Sequence, residues 1–336
     1  VDLPLRLLMP KAADGTVLVT GASGFLASWI VKSLLDDGYK VRGTVRSTKD
    51  PKKVKHLMDL PGAAERLELF EAELLTEGAF DAAASGCTGV FHCASPFIVG
   101  TVEDPDAQLL KPAEHGTLNV LRSASKAGTV KRVVVTSSTA ACGMTRDMGP
   151  GYVFSGKDWG DAEKLREYKA WYPVSKILAE RAAWDFVKDG KQSFDVATVC
   201  PTLIVGPLLQ PVVNTSSELV LQYLDGSKDT YPNDSMSFVD VRDSAKAHVL
   251  AYEAVKGDRY LCIATSVPWK DFLDLLRGIC PDAKIPSTCP KKNPDDPDPK
   301  PTPFSCKELE DLGLTFRGLE EQLKDMVASM KEKGFL

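Results

Sequence analysis

The stretch TVLVTGASGFLASWIVKSLL, Thr16 to Leu35, restricts the fold more than any other part of this chain. Its first half is short, apolar and β-branched, the pattern of a strand buried on both faces. Its second half sets Phe25, Trp29, Ile30 and Leu34 on roughly one face of a helix. Between the two, Gly21-Ala22-Ser23-Gly24 makes a tight turn. A strand that passes through such a turn leaves the first N–H groups of the helix without backbone partners, which suits an anion, most often a phosphate. Taken alone, the spacing Gly21-x-x-Gly24-x-x-Ala27 also fits an ordinary strand–helix turn.

The alternation continues. TVLVTG, KVRGTV, LELFEAEL, GVFHCAS, RVVVTSS and DVATVCP read as strands, with helical patterns at 24–36, 51–60, 105–127 and 173–190. Strands and helices in turn predict an α/β chain with a doubly wound parallel (Rossmann) sheet. After CPTLIVGPLLQP the pattern changes. A helix at about 216–225, the segment SFVDVRDSAKAHVLAYE, a strand RYLCIA and a helix at 268–279 lead into a proline-rich connector, and a final helix LEEQLKDMVASMKEKG follows. The expected organisation is a dinucleotide-binding domain over 12–200, to which 235–264 return, and a smaller substrate domain made of 201–234 and 265–336. The second part is expected to cap the C-terminal edge of the sheet, where doubly wound folds bind ligands.

Lys and Arg number 41 against 46 Asp and Glu, so bulk charge offers nothing to a nucleic acid. No apolar run is long enough to span a membrane. The eight cysteines are scattered, without a close pair or a Cys/His cluster, which predicts free thiols, a reducing cytoplasmic setting and no bound metal.

The strand after the glycine turn ends in VRGTVRST. A dinucleotide site needs a discriminating side chain at about this distance; an acid holds a ribose 2′-hydroxyl, whereas an arginine clamps a 2′-phosphate. Here the position is Arg46, followed by Lys49, Lys52 and Lys53, which favours NADP(H) over NAD(H). Further on, AWYPVSKILAERAAW places Tyr172 and Lys176 four apart on one helix face. Reduction of a carbonyl builds an alkoxide that needs a proton. A free phenol is a poor acid–base group near neutrality, but an ammonium about 4 Å away favours its anion by roughly 4 kcal/mol at an effective dielectric of 20. Upstream, Ser137 and Ser138 end a strand, where a hydroxyl can hold the substrate oxygen beside Tyr172. Each motif alone occurs by chance; their order along the chain is what makes the set specific.

With these residues in hand, the chain resembles the extended short-chain dehydrogenase/reductases of the plant dihydroflavonol reductase and cinnamoyl-CoA reductase group. VTGASGFLASWIVKSLLDDGY, VRSTKDPKKVKHLMDLPGA, FHCASPF, GTLNVLRSASKAGTVKRVVVTSS, YPVSKILAERAAW, PTLIVGPLLQP and VRDSAKAH carry the likeness nearly end to end. The resemblance implies Ser138, Tyr172 and Lys176 as the catalytic set. It implies Arg46 and Lys53 at the 2′-phosphate, Glu73 and Leu74 at the adenine, and Pro201, Thr202 and Leu203 along the nicotinamide. Gly21, Ser23, Gly24, Phe25, Leu26, Ala94, Ser95 and Thr136 complete the implied cofactor contacts. Phe97, Gly143, Pro207 and Tyr223 are expected pocket walls.

The departures narrow the substrate. Where cinnamoyl-CoA reductases carry Asn-Trp-Tyr-Cys-Tyr-Gly-Lys, this chain reads Ala170-Trp171-Tyr172-Pro173-Val174-Ser175-Lys176. Where dihydroflavonol reductases place an Asn five residues after the serine, it has Gly143. The expectation is an NADPH-dependent reductase of small carbonyl compounds, phenylpropanoid-type or related aryl aldehydes first. A cinnamoyl-CoA reductase, a dihydroflavonol reductase and a non-catalytic NADP-binding regulator are the alternatives. A monomer or weak dimer is expected. Among smaller signals, His92 reads as packed beside the sheet, Arg242 as an ion-pair partner of Asp240 or Asp243, and Asn119 either as a helix-surface amide or as holding a backbone group or water near Lys176.

Overall fold

Alternate residues of the central strands face opposite layers, and that arrangement builds the molecule. The computed structural model describes residues 15–96, 103–143, 149, 151–290 and 297–336. The elements that matter for the site are β1 (Thr16–Thr20), α1 (Phe25–Asp36), β2 (Lys40–Val45), α2 (Pro51–Met58), β3 (Leu67–Glu71), β4 (Gly89–His92), α3 (Lys111–Ala127), β5 (Arg132–Thr136), α4 (Trp171–Val187), β6 (Asp195–Pro201) and β7 (Leu203–Val205). They are followed by α5 (Thr215–Leu224), β8 (Ser235–Asp240), α6 (Val241–Glu253), β9 (Arg259–Cys262), β10 (Thr265–Pro268), α7 (Trp269–Ile279) and α8 (Leu319–Glu332).

Seven strands form one sheet in the order β3-β2-β1-β4-β5-β6-β9, and every neighbouring pair is parallel. The expected doubly wound parallel sheet is what the chain adopts. Val17, Val19, Phe91 and Val134 join one apolar layer with α1 and α6, whereas Leu18, Val90, Val133 and Val135 join the other, beneath α3 and α4. The chain winds outward from β1 to β3 and then crosses back to β4 on the other side of β1. Thr20 and His92 therefore end neighbouring strands at the point of reversal, which in open parallel sheets is where ligands sit.

A second sheet has the order β10-β8-β7, with β7 parallel and β10 antiparallel to β8. The segment 235–264, assigned from the sequence to the first domain, thus divides: Ser235–Asp240 pairs in the second sheet, while α6 and β9 rejoin the first. Asp240 makes the sharp passage possible, because its carboxylate accepts from the Arg242 N–H and caps α6 at once. One apolar cluster runs from Val17 and Ile30 through Phe238 and Phe272 to Met326, so the two parts share a core. β7 and β10 are too short to show a period in the sequence. Among the described residues no helix is long and apolar enough to cross a membrane.

Candidate active site

The turn after β1 is shaped by what it touches. Gly21 has φ of +65°, and a Cβ there would lie 3.2 Å from the Ala94 Cα. Its N–H donates to Thr44 Oγ1 (3.2 Å) and the Ala22 N–H to the Thr44 carbonyl (2.8 Å), which ties the turn to β2. Gly24 caps α1 without a side-chain bond, so the first-turn N–H groups keep no side-chain partner among the described residues. The loop after β4 is held against this turn by one side chain. Thr20 Oγ1 accepts from the N–H of Cys93 and of Ala94, both at 3.1 Å, and lies 2.9 Å from His92 Nδ1. His92 is buried; burial, and after it the Lys176 charge, holds it down to about 3. It stays neutral and structural, as expected.

A cavity of about 240 Å³ opens beside the turn. Gly21, Gly24, Phe25, Leu26, Thr136, Ser138, Tyr172, Lys176, Pro201 and Thr202 line it, so residues far apart in the chain meet here. Ala27 and Ser137, both noted in the sequence motifs, also line it, as do Cys93 and Ile204, which were not singled out from the sequence. Lys176 is the one charged side chain on this wall among the described residues. Its Nζ lies 5.8 Å from the centre of the Tyr172 ring and 3.4 Å from Ser95 Oγ. Ala94 and Ser95 line a second, much smaller cavity, which shares Thr136, Ser137 and Lys176 with the first.

The two serines differ in what they do. Ser137 Oγ donates to the Glu180 carboxylate at 2.6 Å. Ser138 Oγ accepts from the Ala140 N–H at 3.1 Å, and its own proton is committed to no described residue. Thr136, just before them, lies 2.9 Å from His248 Nε2, and His248 Nδ1 donates to the Ser244 carbonyl (2.7 Å). Burial holds His248 down to about 4 although that carbonyl pulls it up.

Arg46 is exposed just beyond β2 and has no partner among the described residues; Lys53 lies half-buried on α2. Glu73 is exposed and Leu74 packs over Gly116. Asn119 is not a surface amide: it is buried and holds a backbone group, its Nδ2 donating to the Leu74 carbonyl at 3.1 Å. Ser23 lies in the turn, and Leu203, half-buried on β7, is outside the cavity wall.

Of the expected pocket walls, Phe97 lies outside the described residues. Tyr223 is in the apolar core, its ring 5.2 Å from Trp269 and 6.5 Å from Phe272, because α5 packs inward on α7. Pro207 accepts from Trp29 Nε1 through its carbonyl (2.9 Å), and Gly143 is buried at φ of +71° where a single helical turn ends. None of these three lines the cavity. Arg242 pairs with Asp240 at 2.8 Å, as expected, and also with Asp325 at 2.7 Å. Among the described residues no group of three or more His, Cys, Asp or Glu could hold a metal.

Comparison with known proteins agrees with this arrangement. Residues 17–262 match the NAD dependent epimerase/dehydratase family. The chain is 45% identical over 321 residues to cinnamoyl-CoA reductase CAD2 of Medicago truncatula, covering 95% of this chain and 96% of that one. Vestitone reductase from alfalfa (Medicago sativa) superposes with a TM-score of 0.78 at 34% identity, over 96% of this chain and 100% of that one. Yeast methylglyoxal/isovaleraldehyde reductase Gre2, complexed with NADPH, gives 0.82 at 30% identity over 96% and 100%. A glycine turn at the reversal point of a parallel sheet, and a Tyr and a Lys one helical turn apart beside it, are thus features of a chain that belongs to the NAD dependent epimerase/dehydratase family, the extended short-chain dehydrogenase/reductases.

Proposed function

We propose that this protein is an NADPH-dependent carbonyl reductase acting on small free aldehydes or ketones, aryl aldehydes of the phenylpropanoid type first among them. The observation that carries the reading is the meeting of Ser138, Tyr172 and Lys176 with the Gly21–Gly24 turn on one cavity. The side chains fit a dinucleotide phosphate. Gly21 and Gly24 leave the turn open for a pyrophosphate at the start of α1. Arg46, exposed and without a partner, together with Lys53, would hold a 2′-phosphate. Pro201, Thr202 and Thr136 would flank the nicotinamide, and Glu73 and Leu74 the adenine. When bound, the reduced cofactor supplies a hydride.

The protein's own groups do the rest. Ser138 donates its uncommitted O–H to the substrate oxygen while the Ala140 N–H holds its Oγ in place. Tyr172 gives its phenolic proton to the alkoxide oxygen. The Lys176 ammonium favours the phenolate left behind, and Ser95 steadies it. In the same reading, 201–234 and 265–336 form the substrate side.

A second reading, reduction of an acyl-CoA thioester, draws support from the 45% identity to cinnamoyl-CoA reductase CAD2 over nearly the whole chain. Two features support the free carbonyl instead. Lys176 is the only charged residue on the cavity wall among the described residues, so nothing there pairs with CoA phosphates. The residues after Tyr172 are Pro173-Val174-Ser175. Specificity constants for one aryl aldehyde and its own CoA thioester test the choice. The aldehyde is expected to win; a thioester preference of tenfold, about 1.4 kcal/mol in the transition state, overturns it.

A further inference from the structure

Glu180 carries a buried carboxylate that the mechanism above does not use. It lies on α4 one turn beyond Lys176 and is fully shielded from solvent. Its two oxygens are crowded with donors. Ser137 Oγ donates to Oε2 and Thr198 Oγ1 to Oε1, both at 2.6 Å. Arg259 on β9 donates from Nε to Oε1 (2.7 Å) and from Nη2 to Oε2 (3.2 Å). Arg259 is itself spent: it donates to the carbonyls of Gly156 and Asp158, and Trp159 covers its guanidinium at 3.9 Å. One carboxylate thus joins α4 to β6, β9 and the residue that follows β5. Only one of these ties reaches the catalytic strand end. Ser137 precedes Ser138, whose backbone is extended (φ −160°, ψ 153°), so the two hydroxyls turn apart: one is fixed by Glu180 and the next faces the reaction.

Resting on the reading that Ser138, Tyr172 and Lys176 perform the reduction, we propose that Glu180 is a positioning residue that acts through Ser137. It locks the strand end bearing Ser138 to the helix bearing Tyr172 and Lys176, and so sets the spacing between the hydroxyl that holds the substrate oxygen and the phenol that protonates it. A shift of about 1 Å between such groups is enough to cost a hundredfold in rate.

Replacing Glu180 itself would strand the Arg259 charge in the core and risk the fold. Ser137→Ala is the cleaner variant, since it removes one donor and leaves the Arg259 and Thr198 bonds in place. Thr198→Val is its partner, for it removes a bond of the same length in the middle of β6, away from the strand end that bears Ser138. With NADPH and an aryl aldehyde, Ser137→Ala is expected to lower kcat at least tenfold while the aldehyde KM and the NADPH Kd stay within twofold. Thr198→Val is expected to keep kcat within twofold even if its melting temperature falls. The pH profile of kcat should keep its midpoint in both variants, because the Tyr172–Lys176 pair is untouched. A Ser137→Ala enzyme within twofold of wild type, or an equal kcat loss in both variants, overturns the proposal. Tyr172→Phe, run alongside, separates the two layers of inference: if it stays active, the catalytic assignment fails; if it is inactive while Ser137→Ala is not, only the positioning role fails.

Discussion

The Lys176 ammonium lies 5.8 Å from the centre of the Tyr172 ring, one helical turn away on α4, with Ser95 Oγ at 3.4 Å from the same nitrogen. Both line a cavity whose wall bears no other charge among the described residues. Ammonium and phenol thus share one wall because four residues separate them on a helix.

Tyr172→Phe keeps the ring and removes the proton. Turnover of NADPH with an aryl aldehyde is expected to fall by roughly 10²–10⁴-fold with NADPH affinity retained. Stopped-flow or steady-state kinetics beside a fluorescence titration of NADPH check both halves; a near-native rate would mean that another group is the acid.

Arg46→Asp places a like charge where the 2′-phosphate is expected. The NADPH Kd should rise about tenfold or more, ~1.4 kcal/mol, while NADH changes much less. Arg46 is exposed, so the gap between the two cofactors should narrow as salt is raised. Equal losses for both would remove Arg46 from the phosphate.

Gly21→Ala is expected to be costly twice over. An L-residue at φ of +65° loses about 1–2 kcal/mol. The added methyl would also press on the Ala94 backbone at 3.2 Å, which is part of the loop held by Thr20. A lowered melting temperature should come with weaker NADPH binding; unchanged binding would show that the turn has no part in the cofactor site.

His92 and His248 bear on acid stability. Burial holds them down to about 3 and about 4, whereas unfolded histidine titrates near 6.5. Above about pH 6.5 neither state binds the proton and these residues add no slope. As pH falls below that, the unfolded chain takes up protons that the folded chain refuses, and stability drops by up to about 1.4 kcal/mol per pH unit for each. Urea midpoints between pH 7.5 and 5 should decline less steeply in His248→Gln than in wild type. Parallel lines for the two would contradict the burial argument.

Local structure was legible because its causes are local. The β-branched runs Thr16–Thr20, Lys40–Val45 and Asp195–Pro201 are strands as their residues dictate, and the Gly21–Gly24 turn and the Tyr172/Lys176 spacing follow from backbone geometry alone. The strand–helix alternation carried the parallel sheet, because a crossover helix is the short way back to a parallel neighbour. What long-range packing decides was not legible. Ser235–Asp240 has the same apolar pattern whether it joins one sheet or the other, and only its pairing with Leu203–Val205 and Thr265–Pro268 places it. Tyr223 reads as a pocket wall until Trp269 and Phe272 close over it. Glu180 looks like an ordinary polar residue of a helix, and Arg259 is 79 positions further on; the fold makes them an ion pair and sets Ser137 against them. A single sequence shows which residues are able to bond, but the choice of partner among distant ones belongs to the packed chain, where a buried charge must find its counter-ion or not be buried at all.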